Sequence, residues 1–89
     1  MNEPKQKQLS DLRNIGKAML ADFELLGIDS VEELARRDPR ALYDELIERT
    51  GHRQDPCVLD TFSAAVHEAR TGERLDWWRF SRIRKQATS

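Results

Sequence analysis

Residues 9–34 read LSDLRNIGKAMLADFELLGIDSVEEL, and this stretch decides the fold. Met19, Phe23 and Leu26 recur at helical intervals with Leu20 beside them, which predicts a helix over 17–26. Asn14-Ile15-Gly16 interrupts the helical pattern ahead of it. Gly27 reads as a stop, because glycine accepts the left-handed conformation at a helix end cheaply. Ser30 followed by Glu33 fits a capping box, each side chain satisfying an orphan backbone N–H of the other. Working outward, Asp38-Pro39 and Asp55-Pro56 are N-cap and first-turn proline pairs, and Thr50-Gly51 and Thr71-Gly72 are stops. Apolar residues recur helically at Leu42, Leu46 and Ile47, and again at Val58, Leu59, Phe62, Ala65, Val66 and Ala69. These signals predict helices at 5–13, 17–26, 31–37, 39–49, 56–70 and 74–84. No segment alternates with period two, so no sheet is expected. The expected architecture is all-α: a compact bundle of five to six short helices ending in a C-terminal helix. The 89 residues suggest one domain over 1–89, with a core at about 5–84 and frayed ends.

A chain of this length buries a modest core and leaves little room for a deep catalytic pocket. Fifteen basic residues face 16 acidic ones, a net charge of −1, so overall charge provides no general attraction to nucleic acid or membrane. The distribution says more. Residues 1–17 carry +2 and residues 73–89 carry +3, whereas residues 18–50 carry −5. If the ends meet, a basic patch forms on a nearly neutral protein. The N-terminus has no apolar leader and no apolar run approaches membrane-spanning length. One cysteine, Cys57, excludes an intramolecular disulfide and points to the cytoplasm.

The order of helix, tight turn, helix, Gly-Ile and capped helix resembles the helix-hairpin-helix motif of SAM-like domains. Ile15 is expected to plug the space between the two helices, and Gly16 to let the chain turn into the second. Asn14 stands where the motif carries its first glycine, and asparagine tolerates positive φ better than most residues. The resemblance implies that backbone N–H groups at the turn and at the following helix N-terminus hold a DNA phosphate, as unpaired donors and a positive helix end favour. Lys17 opposes the helix dipole in the first turn, a local conflict that suggests a functional position. The candidate DNA-binding residues are Arg13, Asn14, Ile15, Gly16 and Lys17, with Lys5 and Lys7 nearby. The loop over 50–56 reads either as an ordinary helix connection or as a degenerate second hairpin whose His52 and Arg53 reach phosphate.

Thr50-Gly51-His52-Arg53-Gln54-Asp55-Pro56-Cys57-Val58-Leu59, followed by Phe62 and Ala64-Ala65-Val66, is similar to the bacterial pathogenicity-locus family, often described as mitomycin-resistance-like. The resemblance runs from about Leu9 to Trp78. Two functions are open. One is a non-enzymatic module giving weak, sequence-independent contact with the DNA backbone. The other is a protein-interaction domain with no DNA contact, which the acidic middle favours. No membrane partner and no small-molecule substrate are expected.

Other chemistry finds little support. Cys57 near a helix N-terminus is conceivable as a reactive thiolate, but reads better as a small core residue. Cys57, His52 and His67 are too few and too irregularly spaced for a metal site, so neither metal nor cofactor is expected. On a helix starting near Arg74, Trp77 falls with Phe80 and Ile83 on an apolar arc and Trp78 among arginines. Trp77 is therefore expected in the core, and Trp78 exposed with arginines over its ring.

Overall fold

Aspartate, serine and glycine punctuate the chain, and the helices fall between them. The computed structural model describes residues 8–88, with side chains through Lys85. A 3-10 turn at Leu9–Asp11 leads into α1 (Lys17–Leu25), α2 (Val31–Ala35), α3 (Pro39–Thr50), α4 (Pro56–Thr71) and α5 (Trp77–Thr88). No strand occurs among the described residues, so the fold is all-α. Ser30 accepts the Glu33 N–H at 3.1 Å, Asp38 the Ala41 N–H at 3.0 Å and Asp55 the Cys57 N–H at 2.8 Å. Each removes one unpaired donor from a helix start. At the end of α1, Gly27 adopts φ 78°. Its N–H reaches Glu24 O and the Ile28 N–H reaches Phe23 O at 2.8 Å, the paired bonds of a Schellman stop.

These stops aim the apolar faces at one cluster. Leu12, Phe23, Leu26, Ile28, Leu34, Leu42, Leu46, Phe62, Ala65 and Val66 are all buried there. Phe23 of α1 stacks on Phe62 of α4 with ring centroids 5.7 Å apart. A fully buried phenylalanine contributes about 2–3 kcal/mol through the water it no longer orders. Helix α4 packs against α2, α3 and α5 and organises the bundle, while α1 lies against α3.

Four expectations change. The helix over 5–13 is, within the described residues, only the 3-10 turn; Lys5 and Lys7 lie outside them. Leu12 is extended (φ −71°, ψ 144°), and the Arg13 N–H donates to the Glu68 carboxylate at 2.9 Å instead of continuing a helix. The capping box at Ser30 is half formed, because Arg37 Nη1 lies 3.4 Å from Glu33 Oε2. Helix α5 starts at Trp77, because Leu75 O accepts from Asn14 Nδ2 at 2.9 Å and residues 74–76 stay irregular. Finally, α5 is rotated from its expected phase. Arg84 turns inward to a bidentate pair with buried Asp60, both bonds 3.0 Å, and Ile83 turns outward, 61% exposed. Trp77 is consequently half-buried rather than core. Trp78 is the exposed one at 43%, with Arg79 and Arg82 5.5 and 5.9 Å from its ring centroid.

Candidate nucleic-acid interface

The turn at 13–17 is shaped by one residue in an unusual conformation. Asn14 has φ 74° and is the non-glycine residue with positive φ among the described residues. Asparagine reaches this region at lower strain than other side chains, so the turn forms here without a glycine. Ile15 is half-buried and packs against the core. Gly16, expected to provide the sharp bend, is instead extended (φ −106°, ψ −172°). A Cβ there would meet nothing within 4 Å. Glycine at this position therefore answers to no steric demand of the protein itself.

The side chains of Arg13 and Asn14 face the C-terminal segment. Arg13 Nε sits 2.7 Å from Asp76 Oδ1. Asn14 Oδ1 accepts the Trp77 N–H at 3.4 Å, and its Nδ2 holds Leu75 O. Behind them, Glu68 is 1% exposed and accepts the Arg13 N–H, with Arg74 Nε 3.4 Å from its other oxygen. Arg74 Nη2 also donates to Asp11 O at 3.3 Å. Residues 11–14 thus meet residues 74–77, but Arg13 and Arg74 are spent on carboxylates as they do so. Asn14 acts as a distant cap for α5.

What stays open is the start of α1. Gly16 and Lys17 are exposed, no side chain caps the helix, and its first turn carries no acidic residue. Several backbone donors and the Lys17 ammonium therefore share one accessible corner. His52 and Arg53 are also exposed, on the connection between α3 and α4. Thr50 Oγ1 accepts the His52 N–H at 3.2 Å, and Tyr43 donates to Gln54 O at 2.7 Å, which fixes this loop. Among the described residues no hydrogen bond or ion pair links them to 13–17.

The sequence reading missed Asp60 and Glu68, the buried carboxylates that hold the C-terminal half. Both sit on the face of α4 that carries Ala64 and Ala65, and a charge two turns apart on an apolar face was the available signal. Cys57 is half-buried and free. The hydrogen bond to Asp55, then burial, push its thiol above the ordinary cysteine value, so the helix N-terminus does not produce a thiolate. Iodoacetamide should therefore alkylate Cys57 several-fold more slowly than an unstructured thiol at about pH 8, where rate follows thiolate fraction. Asp55→Ala should narrow that gap; equal rates in both proteins would show that burial alone protects the sulfur. Among the described residues no group of three His, Cys, Asp or Glu side chains is placed to hold a metal ion. An open depression on α3 is lined by Ala41, Asp44, Glu45, Glu48 and Arg49, of which Asp44 pairs with Arg40 and Glu45 with Arg49.

A small all-helical bundle, its N-terminal turn closed by its own C-terminal segment, is the class of protein that this geometry defines. The chain belongs to the Cdd1 pathogenicity-locus family, whose family model matches residues 2–86. It is similar to mitomycin resistance protein McrB of Streptomyces lavendulae, with 37% identity over 78 residues, 88% of this chain and 74% of that protein. The family resemblance read from residues 50–66 is thereby borne out. No solved structure matches the chain.

Proposed function

We propose that this protein is a non-enzymatic helix-hairpin-helix module that makes weak, sequence-independent contact with the DNA backbone at the start of α1. The observation that carries the reading is Gly16. The fold leaves it extended with open space where a side chain would be, and a bare backbone beside unpaired N–H donors suits close approach of a phosphate. Lys17 adds a cation at the same corner. Contacts of this kind engage phosphate and not base edges, so no sequence preference is expected. The acidic middle of the chain would repel a duplex lying across α1 to α3, which confines the contact to the hairpin end. The reading narrows the candidate set to Gly16, Lys17 and the backbone following them, with Arg13 and Asn14 shaping the turn. Free Cys57 agrees with a cytoplasmic setting, which we include in the proposal.

Titration of random-sequence duplex at low salt tests it. Amide shifts should cluster at 13–18. Lys17→Glu should weaken binding without loss of fold and lower the salt slope by about 0.9 for the phosphate contact removed. If saturating duplex shifts no amide there, the hairpin makes no DNA contact, and the bundle is better read as a protein-interaction domain.

A further inference from the structure

We propose that the outer face of α5 is a stacking platform for unpaired bases of single-stranded DNA, with Trp78 as the platform and Arg79 and Arg82 as its phosphate partners. Three observations carry this. First, Trp78 is 43% exposed, with two guanidinium groups within 6 Å of its ring centroid. Second, neither of those guanidinium groups is held by a carboxylate, as is true also of Arg36, Arg53 and Arg70 among the described residues, the last of which bonds backbone carbonyls instead. Arg13, Arg37, Arg40, Arg49, Arg74 and Arg84 each sit against a carboxylate. Third, the arrangement around the helix separates possible occupants. Taking Trp78 as zero and advancing about 100° per residue, Arg82 falls near 40°, Arg79 near 100° and Ile83 near 140°, with the inward arc of Phe80, Arg84, Trp77 and Ser81 near 200–300°. The exposed apolar residues, Trp78 and Ile83, are thus split by both arginines. No continuous apolar stripe exists to enter a bilayer or seat a partner helix. A flat indole bordered by cations suits instead a polymer that offers an aromatic base and a phosphate at each step.

The identity of the polymer rests on the DNA reading of the hairpin. The two surfaces lie at one end of the fold, because α5 begins where Asn14 holds the Trp77 N–H. A strand leaving a duplex at the start of α1 would meet α5 next.

The test measures binding of labelled oligothymidine and of random duplex at low salt by wild type, Trp78→Ala, Trp78→Phe and Lys17→Glu. Wild type should bind oligothymidine with quenching of tryptophan fluorescence. Trp78→Ala should weaken this roughly tenfold, as loss of one stacked base does, while its melting temperature stays close to wild type. Trp78→Phe should retain most of the affinity. Lys17→Glu should weaken duplex binding and leave oligothymidine binding nearly unchanged. Oligothymidine affinity that is absent in wild type, or unchanged in Trp78→Ala, overturns the proposal. So does Trp78-dependent binding to phosphatidylglycerol vesicles without oligothymidine binding, which assigns the face to a lipid surface. If oligothymidine binds through Trp78 and duplex does not bind at all, the hairpin reading fails and the platform stands.

Discussion

Asp60→Ala is expected to destabilise the fold by about 2–4 kcal/mol and to loosen α5 from α4. The Asp60 side chain is 2% exposed and takes two parallel bonds from Arg84, whose side chain is 29% exposed. Removing one member of a buried pair leaves the other charge without compensation, which costs about 3–5 kcal/mol in closed interiors. Arg84 keeps partial contact with water, so the lower part of that range applies. In a domain of this size the change corresponds to a fall in melting temperature of about 10–25 °C. The comparison that isolates the charge is Asp60→Leu with Arg84→Met, which should recover most of the loss because apolar replacements of similar volume leave no charge to desolvate. A single variant within about 1 kcal/mol of wild type would mean that packing at Phe80 and Trp77, and not the ion pair, holds α5 in place.

Asn14→Ala should cost about 2–3 kcal/mol, and Asn14→Gly only about 1 kcal/mol. Two effects add in the alanine variant. A side chain with a Cβ held at φ 74° carries about 1–2 kcal/mol of strain that asparagine partly escapes. The bonds to Leu75 O and from the Trp77 N–H are also lost, each contributing on the order of 0.5–1.5 kcal/mol, the 3.4 Å one least. Glycine removes the bonds and relieves the strain. Urea unfolding of the pair therefore separates backbone conformation from the tie to α5. Equal losses would show that the ties dominate. Asn14→Gly should also retain duplex affinity if the hairpin backbone makes the contact, since the turn survives.

The candidate site was legible as a location more than as a set of ligands. Asn14-Ile15-Gly16-Lys17 marks the turn in the sequence, and the turn is there. The structure then divides its residues. Ile15 enters the core, Arg13 and Asn14 serve the C-terminal segment, and Gly16 and Lys17 face solvent. Nothing near position 14 in the chain announces that Asn14 caps α5, because the Trp77 N–H that it accepts lies 63 residues away. Trp78 was more legible. Its exposure and its arginine neighbours follow from spacing within one helix, although the phase of the helix as a whole does not.

By itself the sequence determined the helices and most of their ends. Ser30, Asp38 and Asp55 cap N–H groups two or three residues ahead, and Gly27, Gly51 and Gly72 end helices through their own backbone. Such signals act within about one turn, so they survive whatever the rest of the chain does. The tertiary structure alone decided where these local rules yield. Glu68 took the Arg13 N–H from 55 residues away, and the chain leaves helical geometry at Leu12. Asp60 drew Arg84 inward and turned Ile83 to solvent, against the hydrophobic pattern. In both places a carboxylate removed from water must be met by donors, and leaving it unmet costs more than exposing an isoleucine or forgoing a turn of helix.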